Sequence, residues 1–149
     1  MKKFKFQLAA LLKVTKMNKD KSEVKLAQAT QHLINQKDAL RNLEKEMQAG
    51  LQEYEVVTAR TKINITMLTT YSSFFTWKRS KIEQQKEAIL TAEQERMQRL
   101  EELKTVMNKL KSIEQLREKR FDEFKQQALA EEQKQLDEIG LQIYTRAAK

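Results

Sequence analysis

The chain has 149 residues, of which 34% are charged and 40% hydrophobic, with two glycines, no proline and no cysteine. This composition favours long helices over a compact globule with frequent turns, so it predicts an all-α protein, and the absence of cysteine excludes disulfides, thiolate metal sites and thiol nucleophiles. A formal net charge of +8 favours anionic partners, whether nucleic acid, phospholipid head groups or an acidic protein surface.

The chain starts with a basic and apolar segment, residues 1–14 (MKKFKFQLAALLKV). It differs from a signal peptide because Gln7 and Lys13 interrupt its apolar residues and no cleavage motif of small residues follows. No segment reaches the roughly 18 uncharged apolar residues of a membrane span. We therefore expect no integral membrane segment and a cytoplasmic location, which the lack of cysteine also fits.

Apolar residues recur at coiled-coil spacing in the first half of the chain. A heptad repeat keeps one stripe of a helix against a partner helix, and here it holds over residues 26–57. Gly50 is a weak position that should cost about 1 kcal/mol against Ala in a helix interior, so the pattern predicts that Gly50→Ala raises the melting temperature. The main seam residues of this helix are Leu26, Leu33, Leu40, Leu43, Met47 and Tyr54.

An uncharged stretch, residues 63–77 (INITMLTTYSSFFTW), interrupts the charged sequence and is predicted to fold the chain back on itself. Several of its hydroxyl residues offer helix caps, and Ser80 with Glu83 resembles a capping box. We therefore expect one domain over residues 1–149. Its parts are helix 1 over about residues 4–66, a turn over about 67–75 and helix 2 over about 72–144.

The second half of the chain repeats the heptad pattern, with Arg96 and Arg99 where apolar residues are expected. Two such stripes joined by a turn predict two long helices that form an antiparallel coiled-coil hairpin. Beyond Arg117 the apolar residues shift to a different helical face, so the end of helix 2 is expected to pack differently. The seam residues of this helix are Ile82, Ile89, Leu103, Leu110 and Ile113.

The sequence predicts no catalytic, cofactor-binding or metal residues, and hence no enzyme. Two glycines cannot form a phosphate-binding loop, and the lone histidine, His32, has no second imidazole or cysteine with which to share a metal. The segment 77–81 (WKRSK) mixes an aromatic residue with cations, as single-strand nucleic-acid sites do. Acidic residues are dispersed along both helices, so we expect no nucleic-acid partner.

Two groups of large apolar residues remain outside the predicted seam. Exposed apolar groups usually mark docking sites, although these could instead pack the turn and cap the far end of the hairpin. The amino-terminal group could also lie on an anionic membrane. The two groups are Phe4, Phe6, Leu8, Leu11 and Leu12 at the amino end, and Met67, Tyr71, Phe74, Phe75 and Trp77 near the predicted turn.

Three passages follow one another along the chain: FKFQLAALLKV at 4–14, YSSFF at 71–75 leading to IEQQ at 82–85, and KQLDE at 134–138. With the length and helix placement, they resemble the FliJ family, a coiled-coil component of the bacterial flagellar type III export apparatus. Its members share a Phe-x-Phe-x-Leu start, a Tyr-x-x-Phe entry into the second helix and a lysine-rich passage near the end.

The resemblance implies a non-enzymatic helical rod without cofactors, whose paired termini enter the pore of the hexameric export ATPase and promote its assembly and activity. The opposite region would reach the cytoplasmic domain of the membrane export gate, at the cytoplasmic face of the inner membrane. Family members are also described as escorting export chaperones. The ATPase-facing surface would comprise Phe4, Phe6, Leu8, Leu11, Leu12, Leu136 and Ile139.

For the export gate, the resemblance implies a surface on one face of the early second helix. Lys78 and Lys81 depart from the small or apolar residues that the family has on this face, so the neighbouring aromatic residues are expected to supply apolar area. The gate-facing surface would comprise Phe74, Phe75, Trp77, Lys78, Lys81 and Gln85. The alternative function is a scaffolding coiled coil, unrelated to export, that self-associates as a dimer of hairpins.

Overall fold

The computed structural model describes residues 2–148 and is all-α. Helix α1 spans Ala9–Arg60 and helix α2 spans Ile65–Ala147, and the two helices pack against each other as the arms of a hairpin. No strand occurs within residues 2–148. The predicted fold class, two long helices in an antiparallel hairpin, is confirmed.

The turn lies at residues 61–64, earlier than the predicted 67–75. Asn64 sets this position by capping α2, because its side-chain Oδ1 accepts a hydrogen bond of 2.7 Å from the Met67 N–H. The hydroxyl residues proposed as later caps, among them Ser80, lie inside α2. Thr69 and Thr70 also lie inside this helix, where their hydroxyls donate to the carbonyl oxygens four residues before them. Helix 1 was predicted to end near residue 66 and helix 2 to start near residue 72. Both predictions were wrong, because α1 ends at Arg60 and α2 starts at Ile65.

Helix α1 starts at Ala9 rather than near residue 4. The Ala9 N–H donates to the Phe6 carbonyl at 3.1 Å, and the residues before it are not helical. The first turn of α1 has no acidic residue to favour a helix N-terminus, and Lys2, Lys3 and Lys5 would be repelled by the positive end of the helix dipole. The charge pattern therefore explains why the helix starts late.

The contacts divide the chain into two compact units. Unit 1 consists of Met1–Asp20 with Thr105–Lys149, and unit 2 consists of Lys21–Lys104. Each unit is formed by a portion of α1 and a portion of α2. No helix within residues 2–148 combines the length and apolarity needed to cross a bilayer.

The core of unit 2 is a single seam between its two helical segments. Its most buried apolar side chains are small, with Ala29 at 5% and Ala92 at 1% exposure, followed by Leu33 at 7%. Small side chains let two helix backbones approach closely, whereas the larger seam residues lie only partly covered because two helices bury one stripe each. The half-buried seam residues are Leu26, Leu40, Leu43, Met47, Tyr54, Ile82 and Ile89.

The core of unit 1 is smaller and includes a polar residue. Leu12 and Ile113 are buried, and Leu110 is half-buried. Thr15 is also buried, and its hydroxyl donates to the Leu11 carbonyl at 2.7 Å, so no polar atom is left unpaired there. Beyond Phe124, every described side chain of α2 is exposed.

Candidate interaction surfaces

The amino-terminal segment of unit 1 packs along α2. The Phe4 ring lies 5.2 Å from the Phe121 ring and 5.6 Å from the Phe124 ring, between centroids, in edge-to-face and tilted geometries that favour aromatic pairs. Phe6 and Leu8 are half-buried beside it. The apolar residues at the start of the chain are therefore largely used for packing within unit 1.

Basic side chains border this packed segment. Lys2, Lys3 and Lys5 are exposed, and they line the same groove as Arg120, whose guanidinium lies 3.7 Å from the Glu123 carboxylate. Only one carboxylate lines the groove beside four cations. The amino end of unit 1 thus presents positive charge to solvent over an apolar floor.

The carboxyl-terminal portion of α2 presents an uncovered apolar stripe. We call it the terminal stripe, and its members follow one another at intervals of seven, three and four residues, which places them on one helical face. The stripe consists of Leu129, Leu136, Ile139 and Ile143, exposed by 65, 55, 52 and 63%. This spacing was visible in the sequence, but only Leu136 and Ile139 were assigned to a surface there.

The structure divides the predicted ATPase-facing residues into two groups. Leu12 is buried, Phe4, Phe6 and Leu8 are half-buried, and Leu11 is 39% exposed. Leu136 lies twelve residues beyond Phe124, or about 18 Å further along α2. Leu136 and Ile139 are therefore separate from the packed amino-terminal residues, and they are the most exposed members of the predicted set.

Three of the six predicted gate-facing residues, Phe74, Lys78 and Gln85, lie in the interface with α1 in unit 2. The prediction that they form an exposed surface was wrong. The Phe74 ring packs against the backbone at Gly50. Lys78 is only 6% exposed and pairs with Glu46. The Gln85 amide donates both to the backbone carbonyl and to the side-chain oxygen of Gln36, at 2.8 and 2.7 Å.

The remaining gate-facing residues differ in exposure. Phe75 is half-buried, with its ring 6.0 Å from Tyr54 and 6.3 Å from Tyr71, so it belongs to an aromatic cluster that packs the hairpin near its turn. Trp77 is 54% exposed, and the Lys81 ammonium lies 5.8 Å from its ring. Trp77 and Lys81 are the two members of the set that are available on the surface.

Lys78 and Gln85 were not recognised as seam residues in the sequence because both are polar. Tyr71, Lys78, Gln85 and Ala92 follow one another at steps of seven residues and all contribute to the interface. A search for apolar heptads passes over Lys78 and Gln85. Their complementary residues, Glu46 and Gln36, lie on α1 and could be matched to them only once the register of the two helices was known.

We expect Gly50→Ala to lower the melting temperature, the reverse of the rise predicted from helix propensity. A Cβ atom at this position would lie 2.5 Å from Phe74 Cε1 and 3.2 Å from Phe74 Cζ. Overpacking of this kind costs about 1 to 3 kcal/mol, against a propensity gain of about 1 kcal/mol. Thermal unfolding followed by circular dichroism measures the difference.

Gly140→Ala is the matched control, because no atom lies within 4 Å of a Cβ built there. This variant gains helix propensity without a clash, so its melting temperature should stay equal or rise. A rise for Gly50→Ala as large as that for Gly140→Ala would show that the contact between Gly50 and Phe74 is not tight.

One groove of unit 2 holds the chain's lone histidine. His32 shares this groove with Lys25, Glu95 and Arg99. One imidazole and one carboxylate are too few ligands for a structural metal site. Among residues 2–148, no three side chains of the metal-binding types converge.

Comparison with known proteins supports the resemblance found in the sequence. The chain matches the family model described as Flagellar FliJ protein over residues 4–149, nearly its whole length. Comparisons with curated proteins and with solved structures returned no match. Its hairpin of two long helices fits the helix placement on which the resemblance was based. The chain belongs to the FliJ family and is thus a component of the flagellar export apparatus.

Proposed function

We propose that this protein is a non-enzymatic component of the export apparatus that inserts into the hexameric export ATPase and promotes its assembly and activity. A ligand that binds only the assembled ring shifts the equilibrium toward that state by its binding energy. No bond is made or broken by the chain itself in this proposal. Its role is to supply a helical surface.

The terminal stripe is the observation that carries the proposal. Four large aliphatic side chains, each more than half exposed, follow one face of α2 beyond Phe124, where no other described segment of unit 1 covers the helix. A helix in water gains most of its stability from the apolar face that it buries. A partner that covers this face would therefore stabilise the segment and gain affinity from it.

The dimensions of the segment suit a narrow pore. Residues 125–147 form a single helix with no second helix alongside, about 35 Å long and 10–12 Å across with its side chains. Lys2, Lys3 and Lys5 add exposed positive charge to unit 1, which would favour an acidic pore lining. We assign the ATPase contact to the terminal stripe, with these lysines as electrostatic support.

We propose that the cytoplasmic domain of the export gate is the second partner, contacted through Trp77 and Lys81. These side chains are exposed, whereas Phe74, Lys78 and Gln85 are engaged with α1. The protein would then work at the cytoplasmic face of the inner membrane at the flagellar base. Escort of export chaperones is a further proposed role, to which no residue is assigned.

The proposal is tested by the ATP hydrolysis rate of the source organism's flagellar export ATPase, with and without this protein. We expect stimulation by the wild type and its loss in the double variant Leu136→Gln, Ile139→Gln. Removing two large apolar contacts should weaken binding on the order of a hundred-fold, since each is worth at least about 1.5 kcal/mol when buried. Leu90→Gln is the matched control, because Leu90 is 59% exposed on the same helix but lies in unit 2.

Point variants are preferable to deleting the amino-terminal residues. Such a deletion would remove buried Leu12 and the ring contacts of Phe4, so it would disturb the packing of unit 1. Equal stimulation by wild type and double variant would remove the terminal stripe from the ATPase contact. Absence of both binding and stimulation by the folded wild type would contradict the whole proposal.

The alternative function is a self-associating scaffold, in which a second copy of the chain would cover the terminal stripe. Sedimentation equilibrium separates the two accounts. A monomer at micromolar concentration leaves the stripe free for the ATPase, whereas a dimer that dissociates on Leu136→Gln and Ile139→Gln substitution would support the scaffold.

A further inference from the structure

The hairpin turn in unit 2 presents apolar side chains directly to solvent. Ile63 is 36% exposed, Leu68 is 50% exposed, and Ile65, at 84%, is more exposed than any other large hydrophobic residue in the described part of the chain. The Asn64 cap fixes the backbone at this point. These side chains are therefore held outward at a convex end of unit 2.

Along the chain, the charged residues on either side of this turn are all basic. Residues 56–82 contain five lysines and arginines and no aspartate or glutamate. Arg60 and Lys62 immediately precede the exposed apolar residues, and both are exposed. Arg60 and Lys62 therefore form a cationic border beside the apolar tip. One carboxylate, that of Glu53, lines a groove beside Met67 on α2.

We propose that this turn, residues 60–68, inserts into the interface of an anionic phospholipid bilayer. Apolar side chains buried about 5–10 Å below the head groups, with cations at head-group level, are the usual elements of such contacts. From Ile65 to Leu68 the helix rises only about 4.5 Å, so all three apolar side chains fit within that depth. The cations match the negative surface potential of anionic lipid.

The shape of the tip favours lipid over an acidic protein surface. A protein partner would need a preformed cavity for three aliphatic side chains that radiate from a convex turn, whereas a fluid interface adapts to them. Thr61, Thr66 and Thr69 are exposed within or next to this segment and suit the partly hydrated head-group layer. This inference requires no export protein, so it can fail or succeed independently of the proposed function.

The other basic and apolar segment, at the amino end, is a weaker membrane surface. There the Phe4 ring packs on Phe121 and Phe124, so its apolar area is already covered. Lys2, Lys3 and Lys5 remain exposed, so the amino end has positive charge but little free apolar surface. Comparing it with the turn separates the contribution of charge to lipid binding from that of the apolar side chains. Replacing these three lysines with glutamine should leave most of the lipid binding in place.

Co-sedimentation of the full chain with phosphatidylcholine vesicles, with and without phosphatidylglycerol, tests the proposal. We expect binding only to the anionic vesicles. Ile65→Ser with Leu68→Ser should weaken it on the order of ten-fold or more, and Arg60→Gln with Lys62→Gln by about five-fold per cation removed. Leu90→Ser, at a 59% exposed leucine in the same unit, should have no effect.

A fluorescence reporter locates the inserted residues. Trp77 is the chain's single tryptophan and lies about 18 Å behind Ile65 along α2. In the variant Ile65→Trp with Trp77→Phe, anionic vesicles should shift the emission to shorter wavelength, while wild-type Trp77 emission should not shift. Circular dichroism confirms that each variant is folded.

Three results would overturn the inference. The first is that the wild type fails to bind phosphatidylglycerol vesicles even at low salt. The second is that it binds an acidic peptide but not the vesicles. The third is that vesicle binding is lost when the three amino-terminal lysines are replaced with glutamine but is unchanged in the Ile65→Ser, Leu68→Ser variant.

Discussion

Leu33→Asp should unfold unit 2 and abolish most of its helical circular dichroism. Leu33 is 7% exposed in the seam, so the substitution removes a buried aliphatic side chain and places a carboxylate in its place. Losing the leucine costs about 2 to 5 kcal/mol, and burying an unpaired charge costs several more. The combined loss is comparable with the total stability of a domain, about 5–15 kcal/mol. Urea unfolding followed at 222 nm measures the effect.

Ile34→Asp is the matched control, because Ile34 is the next residue on the same helix and is 45% exposed. It introduces the same carboxylate in place of a side chain of the same size, but outside the seam. Its free energy of unfolding should fall by no more than about 1 kcal/mol, because the substitution changes only the helix propensity and the packing of a partly exposed side chain. Equal losses at both positions would refute the pairing of α1 and α2 through Leu33.

Lys78→Glu should have the second largest effect, a loss of about 3 kcal/mol in the free energy of unfolding. Lys78 is 6% exposed and pairs with Glu46, so the variant places two carboxylates together in the interface. Leaving a buried charge without its partner costs about 3 to 5 kcal/mol, and the lower end applies because the Glu46 side chain is 58% exposed and its charge is screened.

Two further variants separate charge from packing at this site. Lys78→Met keeps the aliphatic volume and removes the buried charge, so its stability should equal or exceed that of the wild type. The exchange Lys78→Glu with Glu46→Lys should recover part of the loss but not all, because the ammonium of Lys78 also lies 5.0 Å from the Trp77 ring. No recovery in the exchange variant would show that the ion pair does not contribute.

Much of the fold was predictable from the sequence because the heptad spacing is regular and the chain has no proline. The position of the turn was not. The uncharged stretch predicted a turn over about residues 67–75, whereas the Asn64 cap places the turn at the start of this stretch and Thr69 and Thr70 form hydrogen bonds within α2. Helix boundaries depend on such single local bonds, which periodicity does not report.

The candidate surfaces were predictable only in part. Leu136 and Ile139 were assigned to a surface from the resemblance and lie exposed on the terminal stripe. Lys78 and Gln85 were assigned to a partner surface, but they occupy polar layers of the seam opposite Glu46 and Gln36. Whether a polar residue faces solvent or a partner helix depends on the register of the pair, and the sequence of one helix does not contain it.

The exposed tip at Ile63, Ile65 and Leu68 was also missed as a surface. The predicted surface near the turn consisted mainly of the larger aromatic residues that follow, of which Tyr71 and Phe75 pack the hairpin instead. The signal that would have identified it is the absence of any acidic residue over 56–82, next to a helix cap. The proposed lipid contact depends on this charge pattern together with the exposure of the three apolar side chains.

The central proposal, that the terminal stripe binds the export ATPase, is tested most directly by amide hydrogen exchange of this chain alone and with the assembled ATPase. Residues 125–147 should exchange rapidly in the free protein, because no other segment covers them, and slowly in the complex. We expect that slowing to be absent from the Leu136→Gln, Ile139→Gln variant. A complex that forms while exchange over 125–147 stays unchanged would contradict the account.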